Sequence, residues 1–185
     1  MSNIQSFNWE QPGRSYRSNG SYVQKYANVK VEEFDCRIEV VTDYDHDWTM
    51  FRGKFTDTWE EGALKNPRGR YDNRVYKYFV PDSTVRETIN DYTTNLKYSI
   101  QAARVQAKTQ VEEDMKLAID PGSMGYTAVG VRATISFKGV ELGDASVWGI
   151  EIDDSDAPYI DEVANEELQE ALTEARQKLA ELREN

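Results

Sequence analysis

The stretch YTAVGVRATISFKG, residues 126–139, decides the fold class. Apolar side chains occupy every second position, which is the period of a strand with one buried face. The apolar members of this alternation are Val129, Val131, Ala133, Ile135 and Phe137. The run SVWGIEI, residues 146–152, predicts a neighbouring strand across a turn at Gly143–Asp144. Together they indicate an antiparallel sheet that needs a covering layer.

Three further strands are predicted upstream. The first covers residues 29–41, with Phe34, Cys36, Ile38 and Val40 on one face. The opposite parity of Val29 and Val31 predicts a bulge or break near Glu32–Glu33. Residues 48–55 and 74–80 are the other two strands, and residues 60–73 between them are a loop. Cys36 is expected to be a buried, unreactive thiol.

Three helices complete the pattern. The first lies within residues 82–98, where Thr84 and Glu87 fit a capping box. The second covers residues 99–119 and is ended by Pro121–Gly122. Their apolar stripes are Val85, Ile89, Tyr92 and Leu96 in the first, and Ile100, Ala103, Ala107, Val111, Met115 and Ala118 in the second. The third helix begins near Pro158, with Asp156 as its N-cap.

These elements predict an α+β fold: a mostly antiparallel sheet of about five strands, a helical pair inserted between the third and the fourth, and a long C-terminal helix packed on one face. A chain of 185 residues suits a single domain. We place it at residues 29–185, with an acidic C-terminal helix at 157–185. Residues 1–28 are polar and lack periodicity, which indicates an arm held by a partner or by a groove on the fold.

The excess charge of the chain is concentrated at its C-terminal end. Of the net charge of −11, residues 1–140 contribute nothing, with 19 acidic and 19 basic side chains, whereas residues 141–185 hold 14 acidic and 3 basic ones. Such asymmetry concerns partners and solubility rather than fold. An apolar content of 39% excludes a disordered chain. We see no membrane span and no secretory signal, and the single cysteine excludes an internal disulfide, so we expect a cytoplasmic protein.

The loop TDYDHDWT, residues 42–49, places Asp43, Asp45 and Asp47 around the only histidine, His46. The three aspartates match the first ligands of an EF-hand loop, but its required Gly and Glu positions hold Trp and Lys, so we reject an EF-hand. A looser calcium site on a hairpin tip is the alternative to a solvated acidic turn, which we favour. One histidine and one distant cysteine do not make a zinc site.

The sequence predicts no enzyme and no cofactor. The carboxylates beside His46 favour its charged form, whereas a general base must start neutral. A nucleophile lacks a second histidine to orient it. The chain contains neither of the glycine-rich phosphate-binding fingerprints.

The C-terminal helix combines an apolar seam with an acidic row. The seam is Leu168, Leu172, Ala175, Leu179 and Leu182; we expect it to dock on the sheet of the same chain, and a homodimer seam is the alternative. The row is Glu162, Glu166, Glu170 and Glu174, and Asp153, Asp154, Asp156 and Asp161 extend it. Like charges four residues apart cost a helix about 0.2–0.5 kcal/mol per pair. The row advances about 6 Å per step, comparable to the phosphate spacing of a nucleic-acid strand. A nucleic-acid mimic needs such a surface, and a solvated acidic helix has the same appearance.

Basic residues cluster elsewhere, interleaved with tyrosines. The candidate phosphate-binding residues are Arg14, Arg17, Lys65, Arg68, Arg70 and Arg74. Arginine and lysine can neutralise phosphates while tyrosines stack on bases. The alternative, which we favour, is that these residues neutralise acidic patches within the molecule or on a second copy.

Three strings, GKFTDTWEEGALK (53–65), VYKYFVP (75–81) and GVELGDASVWGIEID (139–153), occur together in this chain. The combination resembles uncharacterised small proteins predicted in phage genomes, especially phages of actinobacteria. The resemblance covers residues 30–175 and implies a phage origin, with action inside an infected cell or in the virion. It carries no activity over to any residue.

Three functions follow as hypotheses. The first is a non-enzymatic phage-type binding protein that presents its acidic helix to a basic protein surface, as a nucleic-acid-mimicking inhibitor of a host nuclease or defence complex would. The second is a nucleic-acid-binding accessory protein that uses the arm and the loop at residues 65–77. The third is a virion structural protein whose arm lies on a neighbour.

Overall fold

A computed structural model describes residues 6–13, 16–18, 21–67, 70–71, 74–153 and 156–184. The elements are β1 (Arg17–Ser18), β2 (Ser21–Val31), β3 (Phe34–Thr42), β4 (Gly53–Thr56), β5 (Leu64–Lys65), β6 (Arg70–Tyr71), β7 (Arg74–Val75), β8 (Tyr78–Pro81), α1 (Val85–Thr94), α2 (Ile100–Ile119), a 3₁₀ turn (Pro121–Met124), β9 (Thr127–Phe137), β10 (Val140–Ile152) and α3 (Ala157–Glu184). The chain divides into two compact units, Met1–His46 with Thr127–Asn185, and Asp47–Tyr126.

The first unit is a five-stranded antiparallel sheet covered on one face by α3. Its strand order is β1-β2-β3-β9-β10. The second unit enters the chain between β3 and β9, the third and fourth strands of this sheet. The predicted α+β fold, with an inserted helical pair and a long C-terminal helix packed on the sheet, is confirmed.

The predicted seam of α3 is buried on the sheet of its own chain. Leu168, Leu172, Ala175 and Leu179 belong to the core, whereas Leu182 is exposed. They meet the apolar face of β3 and β9, where Phe34, Cys36, Ile38, Val40, Val129, Val131, Ala133 and Ile135 are buried. Burying a leucine contributes about 1.5–3 kcal/mol, so Leu168, Leu172 and Leu179 each add an amount of this order to the stability of the unit. Burial also raises the pKa of the Cys36 thiol, in agreement with its predicted lack of reactivity.

The expected irregularity at Glu32–Glu33 is a hairpin turn, so residues 29–41 form parts of two strands. Val31 pairs with Phe34, and Glu32 adopts a left-handed backbone with φ of 56°. The turn lacks the Gly or Asn that signals a two-residue hairpin, which explains why the sequence pattern missed it. Val29 and Val31 keep their place on the apolar face because the chain reverses after them.

The turn between the last two strands was also misplaced. It lies at Lys138–Gly139, both with positive φ (51° and 81°), and not at Gly143–Asp144. Gly143 instead lies inside β10, where α3 passes closely over it. A Cβ there would be 2.3 Å from the carbonyl oxygen of Ala171. The glycine was interpreted as a turn signal, but close packing of helix on strand requires it.

The segment predicted as a polar arm contributes to the sheet. Residues 21–28 belong to β2, in which Val23 and Ala27 are buried. Upstream, Phe7 is buried beside α3, and Glu10 forms an antiparallel bridge with Tyr26. The described residues before β2 are therefore held on the fold of their own chain, one of the two alternatives that the sequence left open.

The second unit contains the helical pair and small strands. Strands β4, β8 and β5 form a three-stranded sheet, and β6 pairs with β7. The capping box of Thr84 and Glu87 on α1 is confirmed, and the stripe of α2 is buried apart from Ile100. The return strand predicted at 48–55 is reduced to β4 and pairs with β8 instead of β3. The loop predicted at 60–73 includes β5 and β6, and the strand predicted at 74–80 is divided between β7 and β8.

Candidate functional site: the acidic side of the C-terminal helix

In the acidic loop at residues 42–49, Asp43 and Asp47 accept hydrogen bonds from groups of the same chain. Asp43 accepts hydrogen bonds from the backbone N–H of Asp45 (3.1 Å) and of Gly149 (3.1 Å). Asp47 accepts from the backbone N–H (2.9 Å) and the hydroxyl (2.6 Å) of Thr49. Within the described part of the chain, no group of three or more His, Cys, Asp or Glu side chains is arranged to hold a metal ion.

His46 contacts a different carboxylate from those beside it in sequence. Its Nε2 lies 2.9 Å from Oε1 of Glu151 on β10. Its ring also faces the α-carbon of Gly149, where a Cβ would be 3.5 Å from Nδ1. The histidine therefore holds the loop against β10, near the register shift between Val147 and Ile150. The spacing of the aspartates does not reveal this structural role.

The basic side chains of α3 are all engaged within the chain. Arg176 bonds Glu32 at 2.7 Å, and Arg183 bonds Glu33 at 2.8 Å. Both therefore point toward the β2–β3 turn, across the sheet from β10. Lys178 pairs with Glu174 on the helix itself, at 2.7 Å. No cation of α3 is left to neutralise the rest of its acidic row.

The acidic row turns gradually around the helix. Residues four apart are displaced by about 40° at 3.6 residues per turn, so Glu162 lies on the outer face and Glu174 lies beside the sheet. Oε2 of Glu174 accepts the backbone N–H of Asp144 on β10 at 3.0 Å. Lys178 and this N–H hold the pKa of Glu174 below its ordinary value. The C-terminal member of the row is therefore hydrogen-bonded to the edge strand β10.

The other members of the predicted acidic surface have different environments. Glu162, Glu166 and Glu170 are exposed and make no ion pair with the described residues. Asp156 accepts the backbone N–H of Asp153 at 2.8 Å, and Asp161 accepts the indole N–H of Trp9 at 2.7 Å. Asp154 lies outside the described residues. Among the described members, Glu162, Glu166 and Glu170 are therefore the exposed carboxylates of the helix that have no bonding partner in the described chain.

Glu167, which the sequence analysis did not select, adds to this surface. Burial and the neighbouring Glu170 and Glu166 raise the pKa of its carboxyl. Negative charge on this side of the helix is therefore crowded, and a bound cation would relieve it. The feature of the sequence that could have identified Glu167 is the pair of consecutive acidic residues at 166–167. Consecutive residues project about 100° apart around a helix, so the pair widens the acidic surface.

The predicted phosphate-binding residues that the structure describes are divided between the two units. Arg17 and Lys65 are exposed and belong to different units. Arg14 and Arg68 lie outside the described residues. Arg70 lies on β6 and Arg74 on β7, and in the register of these paired strands their backbone partners are Val75 and Tyr71.

A buried ionic cluster lies on the sheet face opposite α3, and no sequence motif indicated it. Glu39 is 3% exposed and bonds both Arg37 (2.8 Å) and Arg132. Arg37 also lies 4.2 Å from the ring centroid of Tyr26 and bonds the hydroxyl of Tyr16. Burial alone raises the pKa of Glu39, but the hydrogen bonds from the two arginines outweigh it and hold the pKa below its ordinary value. The two arginines compensate the buried carboxylate, so removing them would leave an uncompensated charge inside the sheet.

No protein family model, curated protein or solved structure is significantly similar to this chain. Among the described helices, none combines the length and the apolar character needed to cross a bilayer.

Proposed function

We propose that this chain is a non-enzymatic binding protein whose acidic side of α3 engages a basic protein surface. The observation that carries the proposal is that Glu162, Glu166 and Glu170 are exposed and unpaired within the described chain, while all three cations of residues 141–185 are engaged elsewhere. A row of like charges disfavours the helix that carries it, and an external cation would remove that penalty.

The spacing of the row suggests which basic surfaces fit. Successive glutamates advance by about 6 Å, comparable to the phosphate spacing of a nucleic-acid strand, so the row suits a groove whose cations bind a phosphate backbone. Binding of α3 in such a groove would exclude nucleic acid from it. The phage origin that we expect from the sequence makes basic nucleic-acid enzymes of an infected cell the first partners to test.

The test uses a defined basic probe, a twelve-residue arginine- and lysine-rich peptide, and calorimetric titration at low and physiological salt. We expect the variant Glu162→Gln/Glu166→Gln/Glu170→Gln to bind at least tenfold more weakly than the unaltered chain. The affinity of this variant should also depend less on salt concentration, because fewer charge contacts remain for salt to screen.

A matched control variant carries the same change in net charge at exposed carboxylates of the second unit: Asp57→Asn, Glu61→Gln and Asp82→Asn. We expect this variant to bind like the unaltered chain. If both variants lose affinity equally, only the net charge matters and α3 is not the binding surface. If single-stranded DNA binds the chain more tightly than the basic peptide does, the nucleic-acid-binding alternative replaces the proposal.

A further inference from the structure

The strand β10 forms an edge of the five-stranded sheet, and part of its backbone faces outward without a strand partner. The N–H of Asp144 bonds Glu174 on α3 and not β9, so it points away from the sheet. Backbone groups alternate in direction along an antiparallel strand. The N–H and C=O of Ser146 therefore also point outward. The side chains of Asp144, Ser146 and Trp148 are exposed, which leaves this part of the edge accessible.

The carboxylate of Glu174 already occupies the position that the backbone of a sixth strand would take. Oε2 of Glu174 sits 3.0 Å from the N–H of Asp144, where the carbonyl oxygen of an added strand would accept the same hydrogen bond. The opposite edge of the sheet is closed differently, because β1 and Glu10 pair with β2. The accessible edge is thus the one that lies beneath the acidic side of α3.

Carboxylates outnumber cations beside this edge: Glu141, Asp144, Glu170 and Glu174 lie there with Lys178, which pairs with Glu174, and with Arg132, which bonds the buried Glu39. On the α3 side, Glu170 precedes Glu174 by one turn of the helix and lies between it and the outer face. On the opposite face, a groove of about 420 Å³ is lined by Thr42, Asp43, Tyr44, Asp45 and Trp148. It offers an aromatic ring and carboxylates, the two groups that hold a lysine or arginine side chain. Side chains of an added strand alternate between these two faces.

We propose that β10 is a docking edge for an extended basic segment of the partner, which adds to the sheet as a sixth strand. The outward groups of Ser146 bond its backbone, one of its carbonyl oxygens replaces the Glu174 carboxylate on the N–H of Asp144, and the carboxylates beside the edge bind its cations. This inference rests on the proposed function, since it names the mode in which the basic partner binds. Strand addition takes its affinity from main-chain hydrogen bonds and its specificity from side-chain pockets.

A second copy of this chain fits the edge poorly. Its own β10 carries Glu141, Asp144 and Glu151, and its α3 would bring a second acidic row alongside the first. Like charges directly opposite each other destabilise a strand pair. The occupant is therefore a basic segment from another protein.

Two peptides of ten residues test the proposal on the unaltered chain. One alternates lysine and valine, and the other has the same sequence with every backbone nitrogen methylated, so that it keeps its charge but has no backbone N–H to donate. We expect the first to bind at least tenfold more tightly. We also expect the amide resonances of Asp144 and Ser146 to shift with the first peptide and not with the second.

The variant Ser146→Pro removes one outward N–H and leaves the pairing with β9 in place, because proline is tolerated on an edge strand where its nitrogen faces solvent. We expect it to lose at least tenfold in affinity for the unmethylated peptide and to bind the methylated one like the unaltered chain. Should Ser146→Pro not fold, the comparison of the two peptides on the unaltered chain still decides.

The outcomes separate this inference from the proposed function. Equal binding of both peptides, with loss in the triple glutamine variant, overturns strand addition and leaves the acidic surface intact. Failure of both peptides to bind overturns both proposals. A dimer in sedimentation that Ser146→Pro dissociates assigns the edge to a second copy and also overturns the inference.

Discussion

The two edges of the five-stranded sheet differ in how the backbone of the edge strand is covered. At one edge, the described N-terminal residues pair with β2 through Glu10 and β1, and Phe7 and Trp9 anchor them beside α3. At the other edge, β10 runs for 13 residues, and Glu174 accepts the outward N–H of Asp144. An unprotected edge strand is an aggregation hazard that proteins usually blunt.

The comparison shows what protects each edge. The closed edge is covered by backbone pairing at Ser21, Tyr22, Val23 and Tyr26, which excludes a further strand from that stretch. The β10 edge is guarded by register shifts at Glu141/Gly143 and Val147/Ile150 and by nearby carboxylates. Negative charge deters copies of the same acidic chain without deterring a basic segment. An edge guarded by charge therefore discriminates between partners, whereas an edge covered by backbone does not.

The largest effect is expected from Gly143→Val, which separates α3 from β10. A Cβ at this position would lie 2.3 Å from the carbonyl oxygen of Ala171 and 2.9 Å from the nitrogen of Ala175, so the backbone of helix or strand must move. We expect a loss of at least about 3 kcal/mol in the free energy of unfolding, measured by urea denaturation. Gly122→Ala is the control, because nothing lies within 4 Å of its Cβ position. A loss below about 1 kcal/mol would show that α3 is not held closely over β10.

The next effect concerns the closed edge. Phe7 is 7% exposed and packs against Trp9, with ring centroids 5.3 Å apart. We expect Phe7→Ala to cost about 3 kcal/mol and to promote concentration-dependent association, because β2 loses its cover. Light scattering measures the association. If Phe7→Ala is destabilised but stays monomeric at high concentration, the N-terminal residues stabilise the core without protecting the edge.

A smaller effect is expected in the ionic cluster between the edges. Arg132→Met removes one of two arginine partners of the buried Glu39. Loss of a charged hydrogen bond, with Arg37 still in place, should cost about 2 kcal/mol at neutral pH. Thermal unfolding monitored by circular dichroism measures the loss. Met covers a similar volume, so a much larger loss would indicate a role for Arg132 beyond this pair.

The pH dependence of stability tests whether the Glu39 carboxylate stabilises the folded chain. Because the folded pKa of Glu39 is below the ordinary value of 4.5, its stabilising contribution is present above about that pH and is lost as the pH falls toward the folded pKa. We expect Glu39→Gln to be less stable than the unaltered chain at pH 7 and to lose less stability on acidification. Parallel pH profiles for the two proteins would contradict this assignment.

Much of the fold was predictable because its signals are local. The alternation at residues 126–139 and the stripe of α2 correspond to β9 and to a buried helix face. The turns failed for physical reasons. Glu32 takes a left-handed conformation that normally favours Gly or Asn, and the two arginines of α3 that bond Glu32 and Glu33 are about 150 residues away in sequence. Gly143 gave a turn signal although a helix passes over it.

The candidate surface was predictable only in outline. Spacing identified the row from Glu162 to Glu174, but which of these carboxylates are free depends on contacts between distant elements. Trp9 engages Asp161, and Asp144 engages Glu174. The accessible edge of β10 could not be predicted either, because strand order is a property of the sheet and not of any one segment.

The smallest effect is a gain in stability at the acidic row. Glu166 lies four residues from both Glu162 and Glu170, so Glu166→Lys replaces two repulsions by two attractions. At about 0.2–0.5 kcal/mol for each pair, the free energy of unfolding should rise by about 1 kcal/mol, and thermal denaturation at low salt measures it. The gain should shrink at high salt, because exposed charges are screened. Glu112→Lys is the matched control on α2, where the substitution removes an ion pair with Lys108 and should lower stability. A stabilised Glu166→Lys that no longer binds the basic peptide would mean that the helix tolerates this row at the expense of its own stability because the partner needs the charge. A stabilised variant that still binds normally would indicate that the charge on this side of α3 serves only solubility.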